Sequence, residues 1–174
     1  MQKIILYSIA FWMCSIRLFS QNESPSYHPP LKIPLILAGN FGELRPNHFH
    51  MGLDFKTQGK EGLELHAVED GYVSRVKVAT YGYGKVVYVD HPNGKTSVYA
   101  HCSKFAGKLD SIVRNEQYRM QKFEVELFPA AGEISLKKGE VFAFSGNTGG
   151  STAPNLHFEI RDTKTEHAQN PLVY

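Results

Sequence analysis

The chain has 174 residues, of which 42% are hydrophobic and 21% are charged, a balance that is ordinary for one globular domain with a core. This composition excludes disordered and collagen-like chains. The formal charge of +2 is small, and the Lys and Arg residues are dispersed, so we expect no nucleic-acid partner. A peptide or glycan partner is compatible with these numbers.

The first twenty residues, 1–20, resemble a secretory signal peptide. Lys3 provides a positive start, Ile4 to Ile16 form an apolar stretch, and a cleavage site before Gln21 completes the pattern. The alternative is a retained membrane anchor, but the stretch is shorter than the roughly 20 apolar residues that span a bilayer, and Arg17 interrupts it. We expect export to the periplasm, cell envelope or exterior, with no stable membrane span after cleavage.

The segment 21–33 is predicted to be an extended lead-in, because it is rich in proline, including Pro29 and Pro30. A single β-rich domain is then predicted over 34–174. Cleavage after residue 20 leaves Cys102 as the one cysteine, so we expect no internal disulfide.

Strand signals dominate this domain, since short segments rich in β-branched and aromatic residues lie between glycine-containing turns. The predicted strands are Gly71–Val78, Lys85–Asp90, Thr96–His101, Phe123–Phe128, Glu140–Ser145 and Leu156–Arg161. A loose helical period predicts one helical insertion between Lys104 and Gln121. The dipeptide Asn93-Gly94 predicts positive φ angles in a tight turn that joins the second and third strands as an antiparallel hairpin. The predicted fold class is therefore mainly β, with an antiparallel sheet and one helical insertion.

Two segments about a hundred residues apart offer ligands for a metal ion. His50 and Asp54 lie in the first segment, and His157 lies in the second. Two imidazoles and one carboxylate are a set that catalytic zinc uses while keeping a fourth position open for water. Gly52 lies between His50 and Asp54 and allows the backbone to bend so that the two side chains converge.

Alternation along the last predicted strand assigns each residue to a face. Residues two apart share a face, so Asn155, His157 and Glu159 point one way. The opposite face is apolar and is predicted to cover the core: Leu156, Phe158 and Ile160. Glu159 or Arg161 is then available to hydrogen-bond the imidazole of His157 from outside the metal site.

The same rule makes His101 a candidate neighbour of the metal. Tyr99 and His101 share one face of their predicted strand, and His101 reaches the same cavity if that face is turned towards His157. Cys102 would then lie on the opposite face, where packing in the core is a better account of it than nucleophilic chemistry.

Several short motifs occur together in the order of a known family. They are Asn40-Phe41-Gly42, His50-Met51-Gly52-Leu53-Asp54, Ala67-Val68-Glu69-Asp70-Gly71-Tyr72-Val73, Tyr81-Gly82-Tyr83-Gly84, Tyr99-Ala100-His101 and Ser145-Gly146-Asn147-Thr148-Gly149. The chain resembles lysostaphin-type (LytM-type) zinc metallopeptidases, which cut peptide crosslinks in bacterial peptidoglycan. The resemblance extends from about residue 34 to residue 174.

The resemblance implies a β-sheet groove with one zinc ion bound by His50, Asp54 and His157. It also implies two further catalytic histidines beside the metal, one at His101 and one at position 155. In this family zinc polarises the scissile carbonyl and activates water, and a neighbouring histidine accepts the proton. The implied partner is a peptidoglycan peptide.

Position 155 is asparagine, which departs from the family pattern. An asparagine amide cannot titrate, so it cannot transfer the proton. One hypothesis is a zinc endopeptidase in which His101 is the general base and Asn155 orients water or stabilises the oxyanion. The alternative is a zinc-binding cell-wall module that is catalytically weak or regulatory.

Overall fold

The computed structural model describes residues 27–174, so the predicted signal peptide and the first residues of the lead-in lie outside the described part. The strands are β1 Leu37–Gly39, β2 Leu53–Lys56, β3 Glu64–His66, β4 Gly71–Val78, β5 Lys85–Asp90, β6 Lys95–Ala100, β7 Lys104–Phe105, β8 Val125–Leu127, β9 Ser135–Leu136, β10 Val141–Phe144, β11 Asn155–Asp162 and β12 Ala168–Gln169. Helix α1 is Gly107–Met120, and a 3₁₀ turn is formed by Pro171–Val173.

One large antiparallel sheet has the strand order β1-β2-β11-β6-β5-β4-β8, with β12 paired to β11 and β9 paired to β4. A small second sheet has the order β3-β10-β7. The main core joins the two sheets and the helix, since Val87 and Leu156 of the large sheet cluster with Leu65 and Phe142 of the small sheet and with Leu109 of α1. The predicted mainly β fold with one helical insertion is confirmed.

Strand β11 lies in the middle of the large sheet, between β2 and β6. His157 is directly opposite Asp54 of β2 on one side and Ala100 of β6 on the other. The residues predicted to face the core are all buried: Leu156, Phe158 and Ile160. The predicted alternation is confirmed, and it places His157 on the face of the sheet opposite the main core.

Several boundaries differ from the predicted ones. Helix α1 begins at Gly107 rather than Lys104, because Lys104–Phe105 first pairs with β10 as a short strand. The hairpin between β5 and β6 is confirmed, but its connection is a four-residue loop, and among its residues only Gly94 has a positive φ, of 75°. The prediction that both Asn93 and Gly94 adopt positive φ is therefore wrong.

The described part of the lead-in lies along the domain. Leu31 is 1% exposed and belongs to the core cluster. The His28 amide donates to the Val68 carbonyl, and the His66 amide donates to the Pro30 carbonyl. The boundary at residue 34 stays a prediction. Within residues 27–174, no helix has the length and apolar character needed to cross a bilayer.

Candidate metal centre

The fold brings His50, Asp54 and His157 together at one point. His50 ends a short hairpin whose strands are linked by the Leu44–Phe49 bridge, Asp54 lies on β2, and His157 lies on β11. His50 Nε2 is 2.9 Å from His157 Nδ1. Asp54 Oδ1 is 3.1 Å from His50 Nε2 and 2.9 Å from His157 Nδ1. These three atoms, called the donor triangle below, come from residues separated by up to 107 positions.

The hydrogen bonds at the far side of each imidazole define its tautomer. His50 Nδ1 is 2.7 Å from the Asn40 carbonyl oxygen, and His157 Nε2 is 2.8 Å from Glu159 Oε1. Both partners are acceptors, so the proton of each neutral ring lies on that nitrogen. The other nitrogen of each ring therefore directs a lone pair into the donor triangle.

Asp54 supplies the charged member of the triangle. Burial favours a higher pKa for Asp54, but hydrogen bonds from His157 and His50, formed when the facing ring nitrogens carry a proton in place of a metal, outweigh it and hold the pKa well below its usual range. Its second oxygen, Oδ2, accepts a hydrogen bond of 2.9 Å from Arg45 Nη2. Arg45 thus leaves Oδ1 as the oxygen available to a metal.

The donor set fits a zinc ion. Its nitrogen, nitrogen and oxygen atoms are typical zinc ligands, and tetrahedral bonds of about 2.0–2.1 Å place such atoms about 3.3 Å apart, slightly more than the separations here. Without a metal, two lone pairs and a carboxylate oxygen face one another at hydrogen-bond distance. Burial lowers the pKa of His157, but hydrogen bonds to Asp54 and Glu159 raise it more, so protons and metal compete for this site.

Gly52 is needed at this site for a reason other than the predicted one. Its φ is not positive, so the backbone conformation at this position does not require glycine. A Cβ at position 52 would lie 2.3 Å from the Phe158 carbonyl oxygen and 2.8 Å from Glu159 Cγ. Glycine is present because β11 passes directly against the chain between His50 and Asp54.

A buried network supports His157 from outside. Glu159 is fully buried, and its Oε2 accepts a 2.6 Å hydrogen bond from Arg161 Nε. The Tyr83 hydroxyl donates to the same Oε1 atom that His157 uses, and the Tyr83 ring lies 5.2 Å from the His157 ring. Burial favours a higher pKa for Glu159, but hydrogen bonds from His157 and Arg161 outweigh it, so the net shift is downward.

His101 lies beside the donor triangle, with its ring 5.9 Å from the His157 ring in an edge-on arrangement. Its Nδ1 donates to the Thr148 carbonyl oxygen at 2.8 Å, so Nε2 carries the lone pair, and Nε2 has no hydrogen-bond partner within residues 27–174. Burial lowers the pKa of His101, which keeps the ring neutral near pH 7.

The predicted route of His101 to the cavity is wrong. Tyr99 faces the main core, where its ring contacts Phe142 and Phe158, so the face that it would share with His101 is turned away from His157. His101 instead follows the end of β6 and has a φ of 60°, which redirects its side chain. Cys102 is fully buried in the core, as predicted.

Asn155 uses its amide group to hold a loop. Its Nδ2 donates to Ser151 Oγ at 2.7 Å and to the Ala153 carbonyl oxygen at 2.9 Å. A carbonyl oxygen only accepts, so the atom that approaches Ala153 must be the amide nitrogen. Asn155 Oδ1 is buried and has no partner among the described residues. The residue therefore lines the cavity without offering its donors to the donor triangle.

These residues surround an open cavity of about 640 Å³. The donor triangle, His101 and Asn155 lie along its walls, together with Arg45, Tyr83, Ser151 and Thr152. Sequence reasoning did not identify Arg45 or assign a contact to Tyr83. Tyr83 belongs to a motif noted above, but only the fold shows that it reaches Glu159.

The antiparallel sheet, the donor triangle and the adjacent histidine define a lysostaphin-like domain with three residues that could hold a metal ion. The profile of Peptidase family M23 matches residues 48–118, which include His50, Asp54 and His101. The catalytic domain of lysostaphin from Staphylococcus simulans has the same fold, with a TM-score of 0.59 and 23% identity over 80% of this chain and 90% of that chain. The chain belongs to the M23 (lysostaphin-type) peptidase family.

The names of the relatives indicate different roles. A protein of Haemophilus influenzae named an uncharacterized metalloprotease is 35% identical over 76% of this chain and 22% of its own length. The DD-carboxypeptidase/endopeptidase Mpg of Neisseria meningitidis is 31% identical over 64% of this chain and 20% of its own. The murein hydrolase activator EnvC of Escherichia coli is 31% identical over 75% of this chain and 23% of its own. The chain spans about a fifth of the length of these relatives.

Proposed function

We propose that this domain is a zinc-dependent endopeptidase that hydrolyses peptide crosslinks of bacterial peptidoglycan after export of the chain. The observation that carries this proposal is the donor triangle, in which two imidazole lone pairs and Asp54 Oδ1 meet beside His101 Nε2, which has no partner among the described residues. His50, Asp54 and His157 would hold the zinc ion. When bound, zinc supplies a Lewis acid that polarises the scissile carbonyl and acidifies water.

His101 would carry the proton transfer. Its neutral Nε2 accepts a proton from water as the water oxygen bonds to the carbonyl carbon. The same nitrogen then donates the proton to the amine as the carbon–nitrogen bond breaks. The Nδ1 hydrogen bond to the Thr148 carbonyl fixes the orientation of the ring. It also stabilises the imidazolium during the interval in which Nε2 holds the proton. A lowered pKa suits this cycle, because the ring starts neutral.

The substrate class follows from the family and from the shape of the site. The cavity is open and large enough to admit an extended peptide segment. One relative is named a DD-carboxypeptidase/endopeptidase and another a murein hydrolase activator, which supports a peptidoglycan peptide as the partner. Export stays a prediction, since the signal peptide lies outside the described residues.

Asn155 favours a second candidate function. Both donors of its amide group are engaged by the 151–153 loop, so Asn155 supplies neither the second titratable group nor a donor for the oxyanion. The predicted role of Asn155 in stabilising the oxyanion therefore has no support from its contacts. A zinc-binding module that regulates another cell-wall enzyme is the alternative, and the relative named as an activator gives it a precedent.

Hydrolysis of purified peptidoglycan by the zinc-loaded protein distinguishes the two candidates. We expect the wild type to release soluble peptides, His101→Ala to lose this activity, and His167→Gln, a change at an exposed residue, to keep it. Release is measured as new amino and carboxyl termini by mass spectrometry. An inert wild type that gains activity on Asn155→His would refute the enzyme and support the regulatory module.

A further inference from the structure

Arg45 is a cationic side chain on the wall of the cavity. Its position is fixed by the hairpin that carries His50, since the Arg45 amide donates to the His48 carbonyl and the His50 amide donates to the Glu43 carbonyl. Arg45 Nη2 donates to Asp54 Oδ2 at 2.9 Å and to Glu43 Oε2 at 3.3 Å. The side chain is 34% exposed, so part of it is accessible from the cavity.

Much of the hydrogen-bonding capacity of Arg45 is unused. A guanidinium group has five N–H donors, and the hydrogen bonds above use Nη2 alone. Arg45 Nε is buried without a partner, and Nη1 makes no hydrogen bond within residues 27–174. Nε is enclosed by protein, so Nη1 is the nitrogen left to bind an acceptor from the cavity.

The charges around Arg45 favour an anionic acceptor. Among the described residues that line the cavity, Asp54 is the one acidic side chain, and it already faces two imidazoles and Arg45. Glu43 is the opposing charge, but its side chain is 46% exposed, and it also accepts a hydrogen bond from the Asn40 amide. A carboxylate that enters the cavity would therefore meet no acidic side chain of the described wall other than Asp54.

We infer that Arg45 binds a carboxylate group of the substrate beside the scissile bond. This inference rests on the proposed function and narrows its substrate class to peptides with a free carboxylate, rather than uncharged bridges such as glycine chains. Arg45 binds Oδ2 of Asp54, and the donor triangle contains Oδ1 of the same carboxylate. At about 3.5 Å per extended residue, the bound carboxylate lies within one or two residues of the scissile bond. Both N–H groups of Nη2 are engaged, so the carboxylate accepts charge-assisted hydrogen bonds from Nη1.

Calorimetric titration of the zinc-loaded protein tests this inference without depending on turnover. Two short D-alanine peptides are compared, which differ only in a terminal carboxylate or carboxamide, and a ketomethylene group replaces the scissile amide in both. We expect the wild type to bind the carboxylate at least about tenfold more tightly, because hydrogen bonds between charged groups are stronger than those to a neutral carboxamide. Arg45→Gln should bring the ratio close to one, and Arg45→Lys should keep part of it.

Control variants separate binding from folding. Arg114→Gln removes an exposed arginine of α1 that does not line the cavity, and it should keep the wild-type ratio. Native mass spectrometry should show one zinc per chain in each variant used. Equal binding of both peptides by the wild type, or no binding of either, would overturn the inference, as would an unchanged ratio in Arg45→Gln. A wild type that prefers the carboxylate but cleaves no peptidoglycan would refute the proposed hydrolysis and leave the carboxylate site standing.

Discussion

The substitution Glu159→Gln tests how much the metal centre depends on the buried network behind it. Glutamine keeps the size and shape of the side chain but removes its charge. The change affects three partners at once, because Glu159 accepts hydrogen bonds from His157 Nε2 at 2.8 Å, from Arg161 Nε at 2.6 Å and from the Tyr83 hydroxyl. It leaves the donor triangle itself chemically intact.

These contacts predict a loss of folding free energy and a loss of zinc affinity. Removing one partner of a buried ion pair costs about 3–5 kcal/mol of folding free energy. Arg161 is 11% exposed at its side chain and has Glu166 4.0 Å away, so we expect the lower end, about 3 kcal/mol. Loss of a group that orients a metal-binding histidine lowers metal affinity by about 10-fold to 100-fold.

Urea unfolding of the metal-free protein measures the first quantity, and competition with a zinc chelator measures the second. Glu166→Gln is the matched control: its carboxylate is 72% exposed, so its stability should change by less than about 0.5 kcal/mol. Zinc affinity in Glu159→Gln that is indistinguishable from wild type would refute the assigned role of this network.

The remaining predictions concern His101, Gly52 and Asn155. His101→Ala should lower kcat by about 10²–10⁴ with one zinc still bound, and loss of zinc in this variant would instead make His101 a ligand. Because burial lowers the pKa of His101, the acid limb of kcat/KM at saturating zinc should have its midpoint below about 6.5, and a midpoint above that value contradicts the assignment. Gly52→Ala should destabilise the fold by about 1–3 kcal/mol in urea unfolding, since its Cβ would lie 2.3 Å from the Phe158 carbonyl oxygen, and an unchanged midpoint counts against that contact. Asn155→Asp should speed amide hydrogen exchange over 151–154, because a carboxylate cannot donate to the Ala153 carbonyl, whereas unchanged exchange would mean that Asn155 does not hold the loop.

The fold was predictable where local pattern and tertiary packing agree. The alternation of Leu156, Phe158 and Ile160 identified the core face of β11 and, by exclusion, the face that carries His157. Boundaries were less predictable, since Lys104–Phe105 could join a helix by its local pattern but pairs with β10 in the fold. The residue pattern within 104–121 does not indicate that this segment pairs with a strand some forty residues later.

The convergence of His50, Asp54 and His157 was predictable from the sequence, but the contacts that support them were less so. The alternation argument for His101 fails, because alternation ends where its φ becomes positive, whereas the motif match also named this residue. Arg45 carried no usable signal, since its contact with Asp54 depends on the fold of the hairpin over 43–50. The hydrogen bonds of Asn155 depend on the conformation of the 151–153 loop, which single-residue chemistry does not specify.

A crystal structure of the zinc-loaded protein, with the metal located by its anomalous scattering, tests the central claim most directly. We predict one zinc ion at the donor triangle, bonded at about 2.0–2.1 Å to His50 Nε2, His157 Nδ1 and Asp54 Oδ1, with His101 outside the coordination shell. A zinc ion bound through His157 Nε2, bound to His101, or located away from the triangle would contradict the account.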